Sequence, residues 1–177
     1  MSPKDDQAPN RKEQILDAAA QLFAELGYYK TTTALVAKAV GVTQPYVFHF
    51  FKTKEELFLA VLDRGFDRLV YAFSGVESPP DELADRMGYA FDELLGTHRN
   101  EILLIMQSHA IPEPAIRQAS KEKFSIIYRR IRERFANAGI PDASAQTSMF
   151  VGTGLLIALS QVLELPELIP WCEPEAD

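Results

Sequence analysis

The 177-residue sequence is poor in the residues on which disulfide-rich and metal-dependent proteins rely. It has one cysteine, Cys172, and three scattered histidines, His49, His98 and His109. A single cysteine excludes an intramolecular disulfide framework, and without a Cys/His cluster a metal site is not expected. We therefore interpret Cys172 as an incidental free thiol in a reducing compartment, and we expect no metal and no other cofactor.

The sequence also lacks the signatures of common enzymes and of membrane segments. It has no nucleophile elbow, no glycine-rich phosphate loop and no zinc-protease motif, so we expect no enzymatic activity. No apolar run looks long enough to span a bilayer, and residues 1–10 are too polar for a signal peptide or an anchor. These absences favour a cytoplasmic protein with no membrane partner, whose residues 1–10 form a disordered arm.

Positive charge is scarce and unevenly distributed. The chain has 18 Lys and Arg against 25 Asp and Glu, a net charge of −7. Residues 1–54 hold seven of the cationic and five of the acidic side chains, net +2, which leaves −9 for the rest. The N-terminal part therefore suits contact with nucleic acid, and the acidic remainder should face away from it.

Two short helices separated by a glycine are predicted near the N-terminus. A threonine run that ends at Thr33 offers a hydroxyl cap, and apolar residues follow at helical spacing over 33–40. Gly41 can adopt the left-handed conformation that ends this helix, and Thr43 can cap a second helix over 44–51. This is the pattern of a helix-turn-helix, whose second helix reads the major groove of DNA.

The second helix is expected to bury one face and to present the other to DNA. Val47, Phe50 and Phe51 share the apolar face. An amide can bond an adenine edge, a ring can press on a thymine methyl, and hydroxyl, imidazole and ammonium groups can hold phosphates. The candidate DNA contacts are Thr33, Thr43, Gln44, Pro45, Tyr46, Phe48, His49 and Lys54. Lys30 and Lys52 flank them.

Several linked motifs run from Arg11 to Leu57. They are an apolar opening-helix pattern, a Thr-Thr pair, a Gly-Val-Thr turn, an aromatic-His-aromatic run and a Lys-Glu-x-Leu sequence. Together they resemble the N-terminal domain of the tetracycline-repressor (TetR) family of bacterial transcription regulators. The resemblance implies that the eight candidate residues face DNA. Phe48 stands where the family usually has tyrosine, so it has no ring hydroxyl for a phosphate, and Phe50 stands where histidine or tyrosine is frequent.

The remainder of the chain has a helical pattern with Pro or Gly at its breaks, so we predict an all-α protein. An apolar stripe from Leu57 to Phe73 predicts a long helix that leads out of the DNA-binding domain. Further helices are predicted over 80–95, 100–110, 113–138 and 142–165. The predicted architecture is a three-helix helix-turn-helix domain over 11–54, joined by this long helix to a helical-bundle domain for ligand binding and dimerisation over 55–177.

The last helix is the expected dimer element. It is apolar on nearly all sides from Met149 to Leu159, which indicates burial against its own core and against a second subunit. The family resemblance implies a four-helix bundle between two subunits, and a two-fold dimer implies an inverted-repeat operator. Large side chains between the helices supply a candidate ligand pocket. These are Tyr71, Tyr89, Met106, His109, Phe124, Tyr128 and Phe150.

The predicted function is that of a ligand-responsive regulator, in the first place a repressor, which a small and largely apolar effector releases from DNA. The alternative is a helical ligand-binding or interaction protein without sequence-specific DNA binding, in which the rings near His49 are ordinary core. A second basic patch, formed by Arg129, Arg130, Arg132 and Arg134, is an alternative phosphate site. Consecutive charges spread around a helix more often mark its solvated faces.

Overall fold

A computed structural model describes residues 7–169, which form eight α-helices and one 3-10 turn. The helices are α1 (Gln7–Lys30), α2 (Thr33–Val40), α3 (Gln44–Phe50), α4 (Lys54–Ser74), α5 (Leu83–Thr97), α6 (Arg99–Ser108), α7 (Pro114–Asn137) and α8 (Ala143–Leu163). The 3-10 turn is Pro166–Leu168. The described residues contain no strand, so the all-α prediction is confirmed.

The first helix begins earlier than expected and breaks near its end. Residues 7–10 belong to α1, although the sequence places them in a disordered arm, and residues 1–6 lie outside the described part. Gly27 has φ 77° and ψ 169°, a region that side-chain-bearing residues avoid, so the chain changes direction there before one last turn. Cys172 also lies outside the described residues.

The long helix α4 is the centre of the fold. It packs against α1, α5, α6 and α7. Its first half buries Leu57, Phe58 and Val61 beside the N-terminal helices, and its second half buries Phe66 and Leu69 among the C-terminal ones. The buried side chains form one continuous cluster through both halves. The predicted boundary at residue 54 is therefore the start of a shared helix and does not mark a break in the core.

The last helix leaves much of its apolar surface uncovered. Only Thr147, Ala158 and Ser160 of α8 are buried, whereas Met149 is 66% and Leu163 56% exposed. Among the described residues α8 is also the one helix long and apolar enough, by length and composition, to cross a membrane. The expectation that no such run exists was wrong, because the 21 residues of α8 include no charged side chain that would interrupt its apolar character.

Candidate nucleic-acid interface and effector cavity

The turn between α2 and α3 is built by local hydrogen bonds. Gly41 has φ 72° and ψ 34°, and its N–H donates to Lys38 while Val42 N–H donates to the Ala37 carbonyl at 2.9 Å. These paired bonds are the usual way for a glycine to end a helix. The N-cap of α2 is Thr32, within the predicted threonine run, and its hydroxyl accepts from Leu35 N–H at 3.2 Å.

Thr33 has a different role because it is already the first residue of α2. Its side chain is buried, and its hydroxyl accepts a 2.8 Å hydrogen bond from Gln44 Nε2 at the start of α3. Two predicted DNA contacts are thus paired with each other. The bond fixes the Gln44 amide and leaves its carbonyl oxygen and second N–H for another partner. Thr43 is the N-cap of α3, but its hydroxyl makes no capping bond.

The exposed face of α3 carries the remaining predicted residues. Val47 and Phe51 are buried and Phe50 is half-buried, as the pattern predicts, so the opposite face points outward. Tyr46 and Phe48 are each 37% exposed. The exposed side chains on this face are Gln44, Pro45, Tyr46, Phe48 and His49.

Three rings on α3 support one another. Phe50 lies edge-on to Tyr46, with ring centroids 5.4 Å apart, and to His49 at 5.3 Å. Because edge-to-face contacts of this kind hold ring orientation, Tyr46 and His49 are presented from a fixed platform. The surface that results combines an amide, rings and an imidazole on one short helix, which is the chemistry that major-groove readout uses.

Lys54 differs most from its predicted role as a phosphate contact. Its Nζ donates to the Tyr28 carbonyl at 2.9 Å and lies 4.3 Å from the centroid of the Tyr28 ring. The last carbonyls of a helix have no intrahelical donor and carry partial negative charge, so they attract the ammonium group. Lys54 thereby ties the end of α1 to the start of α4. Lys30, Lys38 and Lys52 remain exposed around the two short helices.

A buried ion cluster joins the N-terminal and C-terminal helices. Arg64 of α4 lies 2.7 Å from Glu13 and 2.8 Å from Asp17, both on α1, and it also pairs with Glu101 of α6. Arg68 lies 3.3 Å from the same Glu101, whose side chain is 6% exposed. Burial lowers the pKa of Arg64, but the hydrogen bond with Glu13 and the neighbouring acidic charges outweigh it, so the pKa is raised and Arg64 stays charged.

A second, exposed contact also links the two halves. Tyr29, just after the break in α1, donates its hydroxyl to Glu113 at 2.8 Å, immediately before α7. This hydrogen bond is the main cause of a raised pKa for Tyr29. The pKa of Tyr28 is raised mainly by burial, and the charges of Glu55 and Glu113 add to the effect. The sequence predicts neither the Arg64 ion cluster nor the Tyr29–Glu113 hydrogen bond, because residues so far apart in the chain share no periodic signal.

A cavity of about 80 Å³ lies between α4, α5, α6, α7 and α8. Among its lining residues only Thr153 has a polar side chain. The lining residues are Leu69, Phe73, Gly88, Phe91, Ile102, Ile105, Met106, Phe124, Ile127, Ile131, Phe150, Val151, Thr153, Gly154, Leu155 and Ile157. Three of the seven predicted pocket residues, Met106, Phe124 and Phe150, line it.

The other four predicted pocket residues lie elsewhere. Tyr71 and Tyr89 each precede a lining phenylalanine by two positions, a rotation of roughly 200° around a helix, and they are 83% and 68% exposed. His109 is exposed at the end of α6. Tyr128 donates to the Ser144 carbonyl at 3.2 Å and so connects α7 to α8. Isoleucines and leucines of the same helical stripes form the lining instead.

The described residues contain no group of three or more His, Cys, Asp or Glu side chains that could hold a metal ion. They also show where the second basic patch lies. Arg129, Arg130 and Arg132 are exposed on α7, and Arg134 donates from Nη1 to the Ser74 carbonyl at 3.1 Å. The ion pairs found in residues 7–169 involve none of these four arginines. Glu133, which stands between Arg132 and Arg134 in the sequence, is not among those ion pairs either.

The sequence is similar to those of bacterial transcription regulators. Residues 15–61 match the model for bacterial regulatory proteins of the tetR family. The chain is 28% identical over 157 residues to the uncharacterized HTH-type transcriptional regulator YhgD of Bacillus subtilis, which covers 85% of this chain and 82% of YhgD. It is 37% identical over 65 residues to the HTH-type transcriptional repressor Rv1474c of Mycobacterium tuberculosis, covering 37% of this chain and 35% of that repressor.

Solved structures share the same architecture. AibR, in complex with isovaleryl coenzyme A and operator DNA, superposes with a TM-score of 0.69 over 94% of this chain and 90% of AibR, at 22% identity. This likeness concerns the fold. The family-model match over residues 15–61 includes the two short helices whose exposed face was described above.

Proposed function

The chain belongs to the tetR family of bacterial regulatory proteins, and we propose that it is a ligand-responsive transcriptional repressor that binds an inverted-repeat operator as a dimer. The observation that carries this proposal is the exposed face of α3, where polar and aromatic side chains stand on a buried apolar base. A solvated helix face that has no partner needs neither exposed rings nor a fixed amide. Both are suited to reading base edges.

The eight candidate residues have different parts in this proposal. Gln44, Pro45 and Tyr46 are proposed base readers, because they stand at the exposed start of α3. Thr43 and His49 are proposed phosphate contacts, and Phe48 packs against the backbone edge. Thr33 positions Gln44 through their hydrogen bond. Lys54 holds α1 to α4 and contributes its charge to the DNA surface from that position.

Dimerisation through α8 would bury the apolar surface that this helix leaves exposed. Met149, Leu159 and Leu163 are each close to half or more exposed, a level that is costly in water unless another surface covers them. A second copy supplies the matching apolar surface, as the two-fold symmetry of most homodimers requires. A dimer of this kind would cover the apolar surface of α8 without a membrane. We propose that the protein is cytoplasmic, where operator DNA is found.

The effector is proposed to act through α4. This helix lines the cavity with Leu69 and Phe73, and it also packs against α1 of the N-terminal region. The present volume of about 80 Å³ is well below the size of ordinary ligand sites, so a ligand of ordinary size must displace lining side chains. A true effector must therefore bind the DNA-free form more tightly than the DNA-bound form.

The test is selection of bound sequences from random DNA duplexes with the full-length protein, followed by affinity measurements on the selected operator. We expect Gln44→Ala and Tyr46→Ala each to weaken operator binding by about tenfold or more, because each removes a base contact. Tyr89→Ala, which removes an exposed ring from α5, should leave the affinity unchanged. A folded dimer without sequence preference at low salt would contradict the proposal and favour a helical carrier.

A variant designed to disrupt the dimer tests the role of α8 separately from DNA recognition. Leu159→Glu places a charge on the exposed face of α8, and we expect it to yield monomers by light scattering with unchanged helical content by circular dichroism. Because two reading helices bind one operator, its operator affinity should fall by at least tenfold. An intact dimer with normal affinity would overturn the role of α8 while leaving DNA recognition in place.

A further inference from the structure

The apolar cavity adjoins a small cleft that ends at two arginines. The cleft has a volume of about 30 Å³ and lies between α4, α5 and α7. It shares Phe73, Ile127 and Ile131 with the cavity, and its remaining lining includes Arg130 and Arg134. The apolar space and the cationic one thus adjoin along three shared side chains.

The spacing along α7 arranges these groups on one face. Ile127 and Ile131 are four residues apart, and so are Arg130 and Arg134, which puts all four side chains along the same side of the helix. The apolar pair borders the cavity and the charged pair borders the cleft. This face of α7 therefore carries apolar and cationic side chains within two turns.

Arg134 has hydrogen-bonding capacity left for a ligand. Its Nη1 donates to the Ser74 carbonyl, which anchors the guanidinium beside the cleft. Its Nε is buried and has no hydrogen-bond partner among the described residues. A buried donor without a partner is costly, and an arginine in this state suits an anionic oxygen. Arg130 is exposed beside it and adds a second positive charge.

The size of the cavity limits the apolar part of the ligand. At about 80 Å³ it is roughly half the 150 Å³ of an engineered apolar cavity that binds benzene. By that proportion, an alkyl group of about three carbon atoms is the largest apolar group that fits without rearrangement. Longer chains would have to open the helices further.

We infer that the effector is a short-chain acyl compound with an anionic head, whose chain lies among Phe73, Ile127 and Ile131 and whose head group binds Arg134 and Arg130. This inference rests on the proposed effector function of the cavity. A free carboxylate has its negative charge next to the alkyl chain, as this site requires, whereas the acyl group of a coenzyme A thioester ends in a neutral carbonyl and its phosphates lie at the far end of the pantetheine arm. A carboxylate ligand explains why α7 carries arginines without acidic partners at this point.

The test is calorimetric titration of the full-length protein with three probes that share one chain: 2-methylpropanoate, its coenzyme A thioester and the neutral alcohol 2-methylpropanol. We expect 2-methylpropanoate to bind tenfold or more tightly than the alcohol, as a charge-assisted hydrogen bond would provide. Arg134→Gln should abolish that difference without changing alcohol binding. Arg132→Gln, an exposed arginine of the same helix, is the matched control and should preserve it. A preference for the thioester over the carboxylate would place the negative charge away from Arg134 and overturn the inference.

A second variant tests the cavity itself. Gly88 lines the cavity, and a Cβ there would meet no atom within 4 Å, so Gly88→Leu should fill the space and abolish binding of all three probes. Gly96→Leu, on the exposed part of α5, should bind normally. If the alcohol binds as tightly as the carboxylate, or if Gly88→Leu retains binding while folded, the inference is overturned.

The outcome is independent of DNA recognition. Tight anion binding that leaves operator affinity unchanged would support the ligand site and contradict its role as the effector site. If the protein selects an operator but shows no preference for the anionic probe, the inference is overturned and the proposed DNA-binding function remains intact.

Discussion

The short helices near the N-terminus and the long helices of the C-terminal half obey the same packing rules, but their ends are fixed differently. Helices α2 and α4 begin with threonines, Thr32 and Thr53, whose hydroxyls accept a backbone N–H. Helices α5, α6, α7 and α8 begin without a side-chain capping bond. Helix α3 also lacks such a bond, but it directly follows the hydrogen-bonded turn at Gly41. The N-terminal helix ends are therefore fixed by contacts within a few residues, and those of α5 to α8 depend on what packs against them.

The quality of the sequence predictions follows this difference. The predicted limits of α2 and of the start of α3 agree with the structure. The predicted helix over 80–95 is found at Leu83–Thr97, displaced by two to three residues at each end. A cap and a left-handed glycine are local signals that a sequence displays directly. A helix whose ends are set by its neighbours has no such signal.

The largest expected effect lies where the two regions meet. Arg64→Met removes the cation that joins α1, α4 and α6 and leaves the buried Glu101 carboxylate with Arg68 alone. We expect the free energy of unfolding to fall by about 3 kcal/mol, the usual cost of leaving one buried charge poorly compensated. Lys123→Met, which breaks the more exposed pair with Asp63, should cost less than about 1 kcal/mol.

Equilibrium urea denaturation followed by circular dichroism measures both values. Equal effects of the two variants would mean that Arg64 behaves as a surface charge, and that the ion cluster does not couple the two regions. A biphasic transition in Arg64→Met alone would sharpen the comparison, because it would show the N-terminal helices unfolding separately.

A smaller effect is expected at the helix caps. Thr53→Ala removes the 3.0 Å bond from Glu56 N–H and should lower the free energy of unfolding by about 1 kcal/mol. Thr43→Ala is the matched control, since Thr43 stands at the N-cap of α3 without a capping bond, and it should cost a few tenths of a kcal/mol at most. If Thr43→Ala costs as much as Thr53→Ala in the same urea experiment, local capping does not distinguish these helix ends.

The smallest effect concerns the exposed link between Tyr29 and Glu113. The pKa of Tyr29 is raised above its ordinary value of 10.0, so its contribution to stability is present below pH 10 and disappears as the pH rises through the folded-state pKa. Tyr29→Phe should therefore lower the thermal midpoint slightly at pH 8 and by a smaller amount at pH 11. Tyr71→Phe, at a highly exposed ring, should behave like the wild type at both values. A difference that grew with pH would have the wrong sign.

The part of the candidate site that depends on neighbouring residues was predicted better than the part that depends on helix packing. The outward face of α3 follows from the position of Val47 and Phe51, and the structure has the same face exposed. The cavity was predicted less well, because Tyr71 and Tyr89 are large residues on the wrong side of their helices. Size alone does not say which side of a helix is buried, and a tyrosine hydroxyl is more stable in water.

By itself, the sequence determined an all-α chain, a glycine-centred turn between two short helices and the polar face of the second, since all three depend on neighbours within a few residues. Tertiary structure alone decided that Lys54 binds the end of α1, that Arg64 and Glu101 meet in the core, and that arginines of α7 border the apolar cavity. These pairings join residues remote in the chain. Whether such charges meet depends on how the helices pack, and periodicity within a single helix carries no record of that packing.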